Sequence, residues 1–259
     1  MWTYPDDHTQ PVITAREHVS APHSGNAEAR KLPETALLFY MHGALEHILN
    51  TRPCSTITEK LPRFLYGCPT YAYHTACFLD GGRGAPQAAD TLETLCALGV
   101  KNVVSVGMCG SFAEDVPAGT IIVPNRAYVE EGTSLHYYES IEFSEPDPVL
   151  AKALMQIPNA ISKPIVTTDA VYRQTLYKEQ LWREKGAVGV DMETSALFSV
   201  GRKLKMSVAA VLMVSDCHQT STNAPKWKWK MTGEMRAVAI SIPRIVPNRT
   251  VNMAMISVL

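Results

Sequence analysis

Short apolar runs alternate with amphipathic stretches along the 259 residues of this chain, a pattern that predicts strands and helices in turn. Thr35 to Met41 (TALLFYM) predicts a buried strand, and a short helical pattern follows His42-Gly43 through Leu49. Pro53 and Pro62 break the chain, and Tyr71 to Leu79 predicts one longer strand. The turn Asp80-Gly81-Gly82-Arg83-Gly84-Ala85-Pro86 then opens a helix with Pro86 in its first turn. Ala85, Ala88, Ala89, Leu92, Leu95 and Cys96 form its apolar face, and Gly99 caps it. Asn102 to Val106 predicts a strand, followed by Gly107-Met108-Cys109-Gly110-Ser111, a tight small-residue loop whose backbone N–H groups can face an anion or a sugar hydroxyl. Further on, Thr120 to Val123 and Pro164 to Thr168 predict strands. Asp147-Pro148 opens a helix through Ile157, Gln174 to Lys185 predicts a helix ending at Gly186, and Met231 to Ile242 predicts an amphipathic helix stopped by Pro243. The alternation, without repeat or linker, predicts one α/β domain over residues 31–259 with a largely buried sheet. A polar arm, residues 1–30, rich in proline and histidine and without periodicity, precedes it.

One stretch concentrates chemistry. In Val188 to Phe198 (VGVDMETSALF) a short apolar run ends and Asp191 and Glu193 bracket Met192. A helix follows, because Glu193, Ala196, Leu197, Val200 and Leu204 recur at helical spacing. Carboxylates where a strand turns into a helix lie at the carboxyl edge of a sheet, where open α/β folds bind ligands. Acids also favour a helix's first turn for purely structural reasons. A second strand end strengthens the functional alternative: Ser207 to Val214 (SVAAVLMV) runs directly into Ser215 and Asp216.

Composition narrows the classes. With 46% hydrophobic residues, 19% charged and a formal net charge of -1, the chain is of ordinary globular type, and no nucleic-acid or acidic-membrane partner is implied. The longest apolar run is far short of a bilayer span, and the N-terminal MWTYPDDHTQ lacks a signal-peptide pattern, so a cytoplasmic location is expected. Six cysteines (Cys54, Cys68, Cys77, Cys96, Cys109, Cys217) include no CxxC pair. They are expected as reduced thiols, with no metal site.

Taken in order, GRGAP, GVKNVVSVGMCGS, PAGTIIVPNRAYVEEGTS, TTDAVY, VDMETSALF and VLMVSD resemble the nucleoside phosphorylase family of purine nucleoside and uridine phosphorylases with their related nucleosidases, over residues 35–242. The resemblance implies a three-layer α/β fold of the phosphorylase/hydrolase type, with a central mixed sheet flanked by helices. It also implies a homodimer or trimer of dimers, a small-molecule nucleoside substrate, no cofactor, and inorganic phosphate as co-substrate. Breaking a ribosyl–base bond builds oxocarbenium character on the sugar, so a site needs acceptors for the ribose hydroxyls and an acid for the departing base. By resemblance, Glu193 takes the ribose hydroxyls, Met192 packs under the sugar, Asp216 serves the base as acid, and Ser215 holds the edge of the base site. Asp191, Val171 and Tyr172 fall at further base-pocket positions, and Lys228 falls near a basic partner of the aspartate.

The departures bear on the nucleophile. Where phosphorylases of this family carry a GDPxR phosphate loop, this chain has Met41-His42-Gly43-Ala44-Leu45-Glu46, and Ser105 and Met108 replace a second phosphate arginine and a hydroxyl residue around Gly107. Arg83, with Lys60 and Arg63 where a neighbouring subunit contributes an arginine, can substitute, because a relocated arginine still holds a phosphate dianion bidentately. The uracil-reading Gln-x-Arg pair is absent, with Thr175 and Tyr177 in its place, which favours purine-type substrates. His136 is expected at the surface, Arg126 and Glu131 as a structural pair, and His218 at the border of the base pocket. His8, His18 and His23 are candidates for donation to a partner's site by analogy alone. Three classes stay open: a phosphorylase, a hydrolase of the same substrates, and a non-catalytic nucleoside-binding protein. A nicotinamide dehydrogenase is disfavoured, because GGRGAP lacks the third glycine of the dinucleotide fingerprint.

Overall fold

The computed structural model describes residues 9–21, 32–41, 43–51, 53–62, 67–73, 75–218, 228–229 and 232. Its elements in order are α1 (Ala15–Ser20), β1 (Thr35–Phe39), α2 (Ala44–Thr51), β2 (Ser55–Leu61), β3 (Cys68–Tyr73), β4 (Ala76–Asp80), α3 (Gly84–Ala97), β5 (Asn102–Ser111) and β6 (Ile121–Glu130). There follow β7 (Phe143–Ser144), α4 (Pro148–Leu154), β8 (Ala160–Thr168), α5 (Leu176–Glu184), β9 (Gly189–Asp191), α6 (Thr194–Lys203), β10 (Ser207–Cys217) and β11 (Lys228–Trp229).

The apolar runs form strands because they are buried on both faces. Along β1, Ala36 and Leu38 pack with Ala88, Leu92 and Leu95 of α3 and Leu197 of α6, while Leu37 and Phe39 pack on the other face with Ala44 of α2 and Leu150 and Leu154 of α4. β10 repeats the alternation, with Val208, Ala210, Leu212 and Val214 on the first face and Ala209, Val211 and Met213 on the second. The architecture is therefore the expected three-layer α/β arrangement, a mixed sheet between two helical layers. Strand order runs β11-β10-β6-β8-β9-β5-β1-β4-β3-β2, and β10 also pairs with β5. That extra pairing closes β5, β10, β6, β8 and β9 into a ring, from which β1, β4, β3 and β2 extend as an open wing.

Several sequence-derived elements change. The single strand expected over 71–79 is two antiparallel strands, β3 and β4, paired from Thr70↔Leu79 to Tyr73↔Ala76. The expected small-residue loop at 107–111 is a continuation of β5, in register with β10 from Leu212↔Gly107 to Cys217↔Ser111. Glycine weakens a strand signal in sequence, but here it permits close approach of neighbours. β6 runs through Pro124 and Arg126 to Glu130, well past the expected end at Val123, with an irregularity in its β8 pairing at that point. β2, between the two chain-breaking prolines, was not expected at all. Within the N-terminal arm, α1 is a short helix started by a capping box: Glu17 N–H donates to Thr14 Oγ1 (3.2 Å) and Thr14 N–H to Glu17 Oε2 (2.9 Å). The expected helix over 231–242 lies outside the described residues.

Candidate active site

The carboxyl ends of three strands converge around Gly110. In β5 it pairs with Val190 of β9 on one side and with Asp216 of β10 on the other. Two strand spacings separate those neighbours, so Asp216 lies about 10 Å from the turn that carries Asp191, Met192 and Glu193. The thiol of Cys109 lies buried between the two groups. Burial pushes its pKa well above the ordinary value, and the charges of Asp191 and Asp216 add to the effect.

Asp191 and Glu193 divide their tasks. Asp191 is buried and fully used: Oδ1 accepts from Thr167 Oγ1 (2.7 Å), and Oδ2 accepts from the Thr194 N–H (3.0 Å) and Thr194 Oγ1 (2.5 Å). Thr167 Oγ1 in turn accepts from Ser195 N–H (2.8 Å). Two of the orphan donors at the start of α6, the N–H groups of Thr194 and Ser195, are thus met from β9 and β8. Glu193, which stands at the N-cap of α6, makes no capping bond. It reaches instead to α3, where its Oε1 accepts from Gly84 N–H (2.7 Å). Gly84 has φ +78°, a conformation that favours glycine. Burial raises the Glu193 carboxyl from its ordinary range and the Asp191 charge raises it further, while Gly84 N–H and the Arg83 charge pull it part of the way back. Burial raises Asp191 too, opposed by its bonds to Thr194 and Thr167. Both oxygens of Asp191 are thus taken up in bracing the turn that carries Glu193.

Asp216 is 5% exposed and held from two sides. Ser215 Oγ lies 2.5 Å from Asp216 Oδ1 and 3.2 Å from the Cys109 carbonyl, so its proton favours the carboxylate. Asp216 Oδ2 lies 3.3 Å from His218 Nε2. His218 Nδ1 is 2.9 Å from Oε1 of Glu179, a buried residue of α5. Gln174 Nε2 lies 2.9 Å from the same ring nitrogen and donates to the same Glu179 oxygen (2.7 Å). Sequence reasoning placed His218 at the pocket border but missed Glu179, Gln174, Thr167 and Gly84, whose relevance comes only from chain crossings.

The remaining candidates are less closely gathered. Met192 is half-buried beside Glu193. Arg83 acts electrostatically on Glu193, but its guanidinium folds back onto its own turn, with Nη1 3.3 Å from both Asp80 carboxylate oxygens and 2.5 Å from the Gly82 carbonyl. Gly107 and Met108 are paired strand rather than an anion-binding loop, because β10 runs alongside them. Tyr172 is 96% exposed and Val171 about half exposed in the 3₁₀ turn Val171–Arg173, so neither closes a pocket within this chain. Lys60 is exposed on the edge strand β2, four strands from β5. Arg63 lies outside the described residues. In the backbone register Trp229, not Lys228, stands opposite Asp216, and Lys228 stands opposite Cys217. Arg126 and Glu131 do not pair: Arg126 bonds Glu145 (2.8 Å), and buried Glu131 accepts from Ser134 N–H (3.0 Å) and Ser195 Oγ (3.0 Å). His136 is exposed, as expected. Among the described residues no cluster of histidine, cysteine or carboxylate residues could hold a metal ion, and no helix is long and apolar enough to cross a membrane.

Two buried strand-end carboxylate groups, on a mixed sheet closed through β5 and β10, define a class. The chain belongs to the phosphorylase superfamily, whose family pattern matches residues 35–242. It is 28% identical over 165 residues to the DeoD-type purine nucleoside phosphorylase of Clostridium novyi, an alignment covering 60% of this chain and 70% of the relative. Among solved structures, a uridine phosphorylase from Vibrio fischeri superposes with TM-score 0.67 at 23% identity, covering 83% of this chain and 91% of that one. The AMP nucleosidase of Bacteroides thetaiotaomicron superposes with TM-score 0.63 at 22% identity, covering 83% and 88%. The fold is thus shared with phosphorylases and a nucleosidase, and the chain is an enzyme of that superfamily.

Proposed function

We propose that this enzyme cleaves the N-glycosidic bond of a purine nucleoside by phosphorolysis. The observation that carries the reading is the placement of Glu193 and Asp216 on either side of the end of β5, with Glu193 released from helix capping by Asp191 and Thr167. Oε2 of Glu193 accepts the ribose hydroxyls while Gly84 fixes Oε1, and Met192 packs under the sugar. As the C–N bond breaks, its electron pair passes to the base, and Asp216, oriented by Ser215, delivers a proton to the base ring. A buried carboxylate network concentrates negative charge where the sugar becomes cationic, which stabilises the transition state more than the ground state. The purine preference rests on the missing uracil-reading pair and on the similarity to the purine nucleoside phosphorylase of Clostridium novyi. Arg83 is the phosphate ligand in this reading, exchanging Asp80 for the dianion. No cofactor is required by this chemistry.

A specific observation favours a second reading, hydrolysis by water: Met41, Ser105 and Met108 occupy the places of the phosphate loop, second arginine and hydroxyl residue, and Met41 and Ser105 are buried. We further infer assembly as a homodimer or trimer of dimers, since Val171, Tyr172, Tyr177 and Leu181 leave apolar surface exposed near α5. The test is base release from a nucleoside panel with and without phosphate, together with Glu193→Gln and Asp216→Asn. Phosphate-dependent sugar 1-phosphate supports phosphorolysis, and free sugar without phosphate makes the enzyme a nucleosidase. Absence of base release from every nucleoside refutes both.

A further inference from the structure

We infer that His218, pinned by Glu179, is a positioning residue that holds Asp216 in place and passes it the proton needed by the departing base. The inference rests on the base-release reading above and adds to it a relay of three side chains from three places in the chain. The geometry carries it. One imidazole lies between two buried carboxylates, with Nε2 3.3 Å from Asp216 Oδ2 and Nδ1 2.9 Å from Glu179 Oε1. With both carboxylates ionised, the doubly protonated ring offers a donor to each, while Gln174 Nε2, also 2.9 Å from Nδ1, turns its own proton to Glu179 Oε1. The backbone fixes the ring as well, since His218 N–H donates to the Ser111 carbonyl (2.7 Å). Gly110 supplies the room: a Cβ there would lie 2.5 Å from His218 Nε2 and 3.3 Å from Asp216 Oδ2, so any side chain at 110 would push the ring away from the carboxylate.

The charges facing the ring among the described residues are Asp216 from β10 and Glu179 from α5. Arg183, also on α5, stands 3.7 Å behind Glu179. β5 contributes Gly110 and Ser111, which carry no charge. Burial opposes the cation, yet the bonds to Asp216 and Glu179 prevail and raise His218 to about 9. It is therefore charged at neutral pH. During cleavage the C–N electron pair passes to the base, the Asp216 carboxylate takes the Nε2 proton of His218 and hands it to a base ring nitrogen, and Asp216 ends ionised as it began. Glu179 keeps the Nδ1–H bond, leaving a neutral imidazole that regains its proton from solvent.

Two measurements test this. In the first, the His218 ring is titrated by NMR in the ligand-free protein. The midpoint is expected near 9 and should fall by about one pH unit or more in the isosteric Glu179→Gln variant, which removes one of the two charges. In the second, kcat and KM for base release are followed against pH. His218→Gln, which keeps a hydrogen bond but no charge, should lower kcat about 10- to 100-fold with KM within about threefold. It should also lose the alkaline fall in kcat/KM expected of the wild type near pH 9. Glu179→Gln should shift that fall to lower pH. A ring that titrates near the free imidazole value, or a His218→Gln enzyme with wild-type kcat and pH profile, overturns the relay while leaving the base-release reading intact. A wild-type protein that releases no base removes that reading and the relay with it.

Discussion

Removing the Asp191 carboxylate tests the division of labour on which the site depends. Asp191→Ala strips the acceptor from three donors at once: Thr167 Oγ1, Thr194 Oγ1 and the Thr194 N–H. Both threonines are fully buried, so water cannot substitute without opening the turn. An orphaned buried donor costs about 1–3 kcal/mol. The hydroxyls can rotate and so fall at the low end, the backbone N–H cannot, and loss of the anion at the start of α6 adds about 0.3–1 kcal/mol. Against this, relief of the buried charge returns part of the cost, since burial is what raises the Asp191 carboxyl. The balance is a loss of about 3 kcal/mol, or roughly 6–12 °C in melting temperature for a chain of this size. Denaturant unfolding followed by circular dichroism measures the first and a thermal scan the second. Asp191→Asn, which keeps shape and one acceptor, should lose less than half as much stability and should leave KM for the nucleoside nearly unchanged. A loss below about 1 kcal/mol in Asp191→Ala, or a KM defect in Asp191→Asn as large as that of Glu193→Gln, would refute the brace and return Asp191 to the base pocket.

Three further outcomes follow from the same geometry. Asp191 and Glu193 both have carboxyls raised by burial, so the folded protein binds their protons more tightly than the unfolded chain. Their contribution is present below the ordinary carboxylate range and is lost as pH rises from about 4 toward neutrality. Stability measured across that window should fall, and Glu193→Gln should flatten the fall; an unchanged slope would show that Glu193 is not desolvated. Arg83→Ala should raise the KM for phosphate about tenfold or more, as expected for loss of a charge-assisted contact, while the KM for the nucleoside moves far less. Equal phosphate dependence would leave Arg83 as a local tie to Asp80. Gly110→Ala should lower kcat about tenfold or more by displacing the His218 ring, and an unshifted His218 titration in that variant would contradict the close approach seen here.

What the sequence disclosed and what it hid follow from the range of the interactions involved. TALLF and SVAAVLMV were legible as strands because they are buried on both faces, and the helix of residues 84–97 because its apolar face recurs at helical spacing and Gly99 takes a positive φ. The strand end at Asp216 and the turn at 191–193 were legible because apolar runs stop where polar residues begin. The ring closure through β5 and β10 was not, because no local pattern reports which strands meet. GMCGS looked like a loop since glycine carries no strand propensity, yet Gly110 is strand because His218 and Asp216 require its missing side chain. Tyr172 was expected in the base pocket by resemblance, whereas within one chain it faces outward. Glu179 and Thr167 could not be singled out: each is an ordinary residue of its own helix or strand until another segment, at 218 or at 191–195, is brought against it.

Under the proposed function, the two carboxylates differ in what stands behind them, and that difference decides which would act as acid. Glu193 has a backbone N–H at one oxygen and the Asp191 carboxylate nearby, with Arg83 only as a half-exposed counter-charge. It can accept hydrogen bonds from hydroxyls, but among the described residues no side chain bonded to it can replenish a proton that it gives away. Asp216 has a hydroxyl at one oxygen and a ring nitrogen at the other, and that ring is anchored by a second buried carboxylate. Among the described residues, Asp216 is the one of the two for which the proposed relay gives a proton both a source and a fixed path. An enzyme that must protect a cationic sugar and protonate a departing base needs this asymmetry. Exchanging the two environments, not merely the two residues, would be required to exchange their roles.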